Sequence, residues 1–288
     1  MNIFSRFNHF TFILYLVLDN YFIRTLLYYL NLLYNPPYYS HSSYLKQDIT
    51  EWSHAKIPKN LFLCYKHKNI PSSIIKDLKE LNPDWQIKLY DDTESADFIH
   101  NHYGVLMYNL FESIKDGPIK ADLFRICILH YYGGVYSDID NIILKPLDEI
   151  IQKGCSFGVG ASFVPGIVNP AFLYSTKNNK ILYECIELYK NVISRDPYSY
   201  WGYSIVYNMA FILNQYLEIK NTSSIIELPC YNQKIQFYKE DYSYTAFEFI
   251  KCAFNPKYNL LRYVYLFDDN TDKKIITLHN PEYNNHSF

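Results

Sequence analysis

Residues 119–148 read Ile119-Lys-Ala-Asp122-Leu-Phe-Arg125-Ile-Cys-Ile-Leu-His130-Tyr-Tyr-Gly133-Gly134-Val-Tyr136-Ser-Asp138-Ile-Asp140-Asn-Ile-Ile-Leu-Lys-Pro-Leu-Asp148. The apolar run from Ile119 to Tyr131, broken only by polar groups such as Asp122 and Arg125, predicts a helix buried on most of its sides. Gly133-Gly134 ends that helix with backbone freedom, and Gly134–Ser137 is a predicted strand. Asp138 and Asp140 flank Ile139 at its end. On extended backbone, residues two apart project to the same face. Two carboxylates on one face suit a divalent cation and leave coordination positions open for phosphate oxygens. With 17 Asp in 288 residues, about one D-x-D is expected by chance, so the triplet takes its meaning from its neighbours. Asp122 and Arg125 stand at i and i+3 in an apolar helix, where an unmatched charge is costly. Two readings stand on the residues alone. One is a structural ion pair. The other is a polar pocket, with Arg125 for a phosphate or sugar oxygen and Asp122 for sugar hydroxyls.

Outward from this segment, short strands alternate with helices. Strands are predicted at 61–64, 86–90, 156–159, 225–228 and 275–278, and helices at 71–81, 180–193 and 203–217. Pro71 opens the first of these helices, and Asp91-Asp92 reads as a cap for a helix that follows. The alternation implies an α/β fold with a mainly parallel sheet. No internal repeat is visible.

Composition narrows the classes. With 49% hydrophobic residues the chain is not disordered, and 288 residues suit one large domain with or without an appendage. A formal charge of −2 gives no pull towards polyanions, so a nucleic-acid partner has no support. Only 9 glycines are present, which makes the adjacent pair Gly133-Gly134 stand out. The six cysteines, Cys64, Cys127, Cys155, Cys185, Cys230 and Cys252, form no C-x-x-C pair; that excludes the common zinc patterns and favours small buried hydrophobes. His100-Asn101-His102 has no carboxylate partner nearby in sequence and reads as surface.

The segment resembles the D-x-D-containing sugar-binding region of family 32 glycosyltransferases, whose usual pattern is a helical A-D-x-x-R followed by Y-G-G-V-Y-x-D-x-D. The matching residues are Ala121, Asp122, Arg125, Tyr132, Gly133, Gly134, Val135, Tyr136, Asp138 and Asp140. Ile57-Pro58-Lys59-Asn60-Leu61-Phe62 is similar to the family's opening strand, and Asn82-Pro83-Asp84-Trp85-Gln86 with Tyr90-Asp91-Asp92 to its second. Ordered agreement covers residues 57–148 and thins beyond 150.

The resemblance implies a GT-A fold, a Rossmann-like nucleotide half joined to an acceptor-binding half in one domain. It implies a hexosyltransferase that retains anomeric configuration. The donor would be a nucleotide sugar, GDP-mannose preferred over UDP-glucose or UDP-galactose, and the acceptor a glycan or glycolipid hydroxyl. It implies a bound Mn²⁺ or Mg²⁺. Carried over by position, Asp140 is a direct metal ligand, while Asp138 binds the ribose and assists the metal. Asp122 and Arg125 hold the donor sugar, and Leu61, Phe62 and Tyr136 belong to the donor site. The family also brings a C-terminal His, Ser and Trp near the metal. His279 is the choice for the third ligand, with His286 behind it, and Phe288 stands where Trp is expected. Trp201-Gly202-Tyr203 replaces the Gly-Pro that relatives carry ahead of an acceptor-side helix. A catalytically idle GT-A fold serving as a glycan-binding module is the alternative, and it predicts damage to an acidic pair that is intact here.

The first 34 residues differ from the rest. Two apolar runs are separated by Asp19, Asn20 and Arg24, and neither alone reaches the 20 or so residues of a spanning helix. On a helical wheel Asn8, His9, Asp19, Asn20, Arg24 and Asn31 fall within about 160° of one another. That stripe fits a helix in a membrane interface, or one packed on the domain, as well as it fits a single-pass anchor. The expected organisation is a hydrophobic membrane-associated segment at 1–34, a linker at 35–50 marked by Asn35-Pro36-Pro37, and a GT-A catalytic domain at 51–288.

Overall fold

The computed structural model describes residues 56–162, 166–192, 204–242, 264–268 and 273–278. The first half alternates as its sequence predicts. Strand β1 (Asn60–Cys64) leads to helix α1 (Ser72–Leu81), then to β2 (Gln86–Tyr90) and helix α2 (Asp92–Ser113). Asp91 caps α2, its side chain accepting from the Glu94 amide at 2.9 Å while the Glu94 carboxylate accepts from the Asp91 amide at 3.3 Å. A kink at Gly104, with φ 81°, divides α2. Helix α3 (Gly117–Tyr132) follows and runs into β3 (Gly134–Ser137).

The turn between α3 and β3 explains the glycine pair. Gly133 has φ 67°, and a Cβ there would lie 2.6 Å from the Lys177 amide nitrogen and 2.9 Å from Pro58. Gly134 has φ 117°, and a Cβ would meet the Asn60 carbonyl oxygen at 2.5 Å. A side chain at Gly134 would push β3 away from β1, and one at Gly133 would collide with the Lys177 backbone and Pro58.

Beyond β3 come β4 (Ile142–Ile143), the short helix α4 (Leu147–Ile150), β5 (Phe157–Ala161) and β6 (Val168–Ser175). Helices α5 (Lys180–Val192) and α6 (Ile205–Asn214) precede β7 (Ser224–Leu228), β8 (Gln233–Tyr242), β9 (Val264–Asp268) and β10 (Lys273–Thr277). The ten strands form one sheet in the order β2-β1-β3-β6-β5-β8-β9-β10-β4, with β7 alongside β8.

The expectation of a mainly parallel sheet is overturned. β1 pairs in parallel with β2 and β3, and β5 with β8. The pairs β3–β6, β5–β6, β7–β8, β8–β9, β9–β10 and β10–β4 are antiparallel. Connections as short as those between β5 and β6, β7 and β8, or β9 and β10 leave no room for a crossover, so they close hairpins instead. The architecture is a mixed α/β sheet with a parallel βαβ first half. That half is the part the alternation described correctly.

Alternate residues of each strand feed two cores. Phe62, Tyr136 and Leu173 pack on the face covered by α2, α3, α5 and α6. Leu61, Leu63, Val135 and Phe172 pack on the face covered by α1 and α4. Cys127, Cys155 and Cys185 are buried in these cores as the sequence suggested, and Cys230 is exposed. His100, Asn101 and His102 lie exposed on α2. Among the described residues no helix is long and apolar enough to cross a membrane; residues 1–55, with the hydrophobic segment and the linker, lie outside them.

Candidate active site

The carboxyl end of β3 carries the acidic pair, but not on a strand. The strand ends at Ser137, and Asp138 to Asn141 form a turn closed by the Asn141 amide donating to the Asp138 carbonyl at 3.1 Å. The extended-backbone argument for a shared face therefore gives way to a turn. The reason lies in β6: the Asp138 amide donates to the Ala171 carbonyl at 2.8 Å, and the Asn141 side-chain amide donates to the same oxygen at 2.8 Å and to the Ser137 hydroxyl at 3.1 Å. The sequence reading passed over Asn141. Its signal was there, an Asn directly after the acidic pair, a residue type that commonly ties its own turn.

Arg125 reaches this turn from α3. Its Nη2 donates to Asp138 Oδ1 at 3.0 Å and lies 3.1 Å from Asp122 Oδ1. Its Nη1 donates to the Pro170 carbonyl at 2.7 Å, and its guanidinium lies 4.7 Å from the centre of the Tyr136 ring. The Tyr136 hydroxyl donates to Asp138 Oδ1 at 3.1 Å and sits 3.1 Å from Cys64 Sγ at the end of β1. Because the hydroxyl proton is given to Asp138, the thiol is left as the donor to the tyrosine oxygen. One oxygen of Asp138 is thus held by two donors from two elements. Both sequence readings of Asp122 and Arg125 contribute: the ion pair exists, and the same guanidinium also grips the D-x-D turn.

Charge follows this geometry. Burial raises the Asp122 carboxyl to about 6, with Arg125 and the Ile205 amide pulling the other way. For Arg125, burial works to lower its pKa but is outweighed by Asp138, then Tyr136 and Asp122, so the group stays protonated and is raised overall. Burial also pushes the Cys64 thiol up to about 12, which keeps it a proton donor and not a nucleophile.

The structure brings together Asp122, Arg125, Tyr136 and Asp138, with Asp140 on the same turn. Asp122 and Arg125 are 6% and 5% exposed, and the Asp138 side chain is 24% exposed. Leu61 and Phe62, expected at the donor site, have fully buried side chains, one in each core, with Phe62 packed on Tyr90 and Tyr132. Among the described residues no three His, Cys, Asp or Glu side chains converge as metal ligands. β10 runs antiparallel to β4 with Thr277 opposite Ile142, two residues past Asp140. His279, two residues further along the chain, and His286 lie outside the described residues, as do Trp201-Gly202-Tyr203 and Phe288. The donor chemistry of the turn, two carboxylates, fits a hard divalent cation with positions left for phosphate oxygen.

Residues 71–157 match the family described as glycosyltransferase sugar-binding region containing DXD motif. This segment, less than a third of the chain, is similar to that family's sugar-binding region. The match covers α1 to the start of β5 and includes Asp122, Arg125, Tyr136, Asp138, Asp140 and Asn141, while Cys64, Pro170 and Ala171 lie outside it. Inositol phosphoceramide mannosyltransferase 1 of Schizosaccharomyces pombe is 31% identical over 137 residues, 46% of this chain and 42% of that protein. The initiation-specific alpha-1,6-mannosyltransferase of Saccharomyces cerevisiae is 33% identical over 107 residues, 34% of this chain and 22% of that protein. A mannosyl phosphorylinositol ceramide synthase of the same yeast is 30% identical over 134 residues, 43% and 35% respectively. The matches thus span less than half the length of these relatives. A solved PaToxG glycosyltransferase overlaps with a TM-score of 0.39 at 19% identity, covering 55% of this chain and 69% of that one, a likeness too loose to argue from.

Proposed function

We propose that the chain is a metal-dependent, retaining hexosyltransferase of GT-A fold that moves mannose from GDP-mannose to a glycan or lipid hydroxyl. The observation that carries this reading is the D-x-D turn, whose Asp138 is held by Arg125 and Tyr136 inside a segment that matches the DXD glycosyltransferase family. The names of the similar proteins, an inositol phosphoceramide mannosyltransferase and an initiation-specific alpha-1,6-mannosyltransferase, support mannose as the sugar.

Asp138 and Asp140 would hold Mn²⁺ or Mg²⁺, with His279 as the third ligand; the β10–β4 register supports His279 by ending β10 opposite the turn. When bound, such a cation neutralises charge on the departing nucleoside diphosphate. The chain's own groups set the frame. Two donors fix one oxygen of Asp138 before substrate arrives, so little reorganisation is needed at the moment of reaction. Arg125, permanently charged, faces donor oxygens, and Asp122 accepts from sugar hydroxyls. With no carboxylate of the matched segment placed as a covalent nucleophile, the acceptor hydroxyl attacks from the leaving-group side and the departing phosphate takes its proton. Residues 1–34 would hold the chain at a membrane, residues 35–50 would serve as linker, and residues 51–288 would form the catalytic domain.

The test incubates the full chain with Mn²⁺ and, separately, GDP-mannose, UDP-glucose and UDP-galactose, measuring released nucleoside diphosphate. GDP release from GDP-mannose is expected, with a loss of about 100-fold in Asp140→Asn. Release from none of the donors, with mixed glycan and glycolipid acceptors present, would overturn the reading.

A further inference from the structure

The two oxygens of Asp122 serve different elements. Oδ1 faces Arg125, while Oδ2 accepts from the Ile205 amide at 3.0 Å. Ile205 is the first residue of α6, so its amide has no acceptor within that helix. Ser204 caps the same end, its hydroxyl accepting from the Val206 amide at 3.3 Å. Asp122, 83 residues away in sequence, completes the cap from α3.

This arrangement sits in an apolar setting. Leu123, Ile126, Ile181, Cys185, Ile205 and Met209 make up the surrounding core where α3, α5 and α6 meet. Within it Asp122, Arg125, Ser204 and Asn208 are all at most 6% exposed. Desolvating a buried ion pair costs several kcal/mol, and hydrophobic residues of similar volume would often hold three helices as well or better. A network retained there is accounted for by position: it fixes where the N-terminus of α6 lies relative to the D-x-D turn. The connection runs through one nitrogen, because Arg125 Nη2 is shared between Asp138 Oδ1 and Asp122 Oδ1.

We propose that Asp122 is a positioning residue that ties the docking of α6 to the state of the D-x-D turn through the shared Arg125 nitrogen. This rests on the turn being a divalent-cation and nucleotide site. Positive charge arriving beside Asp138 competes with Arg125 for that carboxylate and repels the guanidinium. Arg125 then leans on Asp122, and the Asp122–Ile205 contact tightens. The occupied donor site and the first turn of α6 are coupled without any ligand touching α6. In this role Asp122 answers to the protein on both of its oxygens, in addition to whatever it offers a sugar.

The Ile205 amide reports on this directly, since it donates to Asp122 Oδ2. Amide hydrogen exchange over residues 204–208 of the full chain is compared with and without Mn²⁺ plus GDP, with Mn²⁺ plus UDP as a parallel arm, while calorimetry measures binding of the same probes. Exchange is expected to slow about fivefold or more on binding. In Asp122→Ala the basal protection of Ile205 disappears. In Asp122→Asn, which keeps an oxygen for Ile205 but loses the charge facing Arg125, basal protection survives and the response to Mn²⁺–GDP is lost while binding is still measured. Binding without a change in exchange, or an equal change in Asp122→Asn, would overturn the coupling and leave the glycosyltransferase reading intact. No binding of either nucleotide with Mn²⁺ would remove that reading and the coupling with it.

Discussion

Asp138 is the residue on which the site turns, and its orientation depends on a hydroxyl that does no chemistry of its own. The Tyr136 side chain is fully buried, supports the Arg125 guanidinium on its ring and donates to Asp138 through its oxygen. Tyr136→Phe separates these duties. It keeps the ring and deletes the donor, leaving the Cys64 thiol without its acceptor. A lost buried hydrogen bond costs about 1 kcal/mol of stability, whereas removing a group that orients a metal-binding carboxylate typically costs 10–100-fold in metal affinity. We therefore expect Tyr136→Phe to melt a few degrees lower and to bind Mn²⁺ about tenfold more weakly in a titration with GDP present. Unchanged Mn²⁺ affinity would mean that Arg125 alone orients Asp138. At this scale the sequence was readable where motif and geometry coincide: Asp122, Arg125, Tyr136 and Asp138 do meet. It was silent on Cys64 and Ile205, because a contact across 72 or 83 residues leaves no trace in local spacing.

Among the elements, α3 carries most of the argument. Its boundaries follow from local chemistry: Asp116 caps it, Pro118 sits in its first turn, and Gly133 ends it, its amide N–H donating to the Leu129 carbonyl. Its burial was legible from its composition. What composition could not give was the sheet beside it, since hydrophobic alternation predicts strands but not their direction, and the short later connections turned a parallel expectation into hairpins. Two titratable groups on α3 are displaced in the same chain by the same cause with opposite consequences. Burial raises Asp122 from its ordinary value to about 6, so the folded state holds a proton that the unfolded state releases, and stability falls as pH rises from about 4 to 6. His130, whose Nδ1 lies 2.9 Å from the Tyr103 hydroxyl, is lowered by burial and then by Lys190 to about 4. Its contribution is present above the ordinary histidine value of about 6.5 and is lost as pH falls towards 4. Substitutions that do not titrate should expose the two slopes. From pH 4.5 to 7, the melting temperature of Asp122→Asn relative to wild type should rise by roughly 2–4 °C, and that of His130→Gln should fall by about as much. Parallel curves for both variants would show that neither group is displaced.

At the scale of the whole molecule, the sheet gathers its functional ends along one edge. The carboxyl ends of β1 and β3 supply Cys64 and the D-x-D turn, the start of β6 supplies the Pro170 and Ala171 carbonyls that clamp it, and β10 ends opposite β4 just past Asp140. Antiparallel strands brought two of these elements there, so the D-x-D turn that lies within the family match is clamped from β6, which lies outside it. Two residues ahead of the family match are tied into the fold: Lys59 pairs with Asp148 at 2.6 Å, and Asn60 opens β1 beside β2. Residues 1–44 have a different pattern, two apolar runs with the polar groups Asn8, His9, Asp19, Asn20, Arg24 and Asn31 on one stripe of a helical wheel. A spanning helix would carry Asp19 and Arg24 into hydrocarbon, at about 2.5–3.5 kcal/mol each on insertion scales, while a helix lying in the interface would leave both in water. Deleting residues 1–44 should leave the melting temperature within about 2 °C and abolish co-sedimentation with vesicles of mixed neutral and anionic lipid. The full chain should co-sediment and be released by alkaline carbonate if the helix lies in the interface, whereas retention would assign it as a spanning anchor. A truncated chain that melts far below the full one would instead mean that the apolar face packs on the rest of the chain, and the division at residues 35–50 would then be withdrawn.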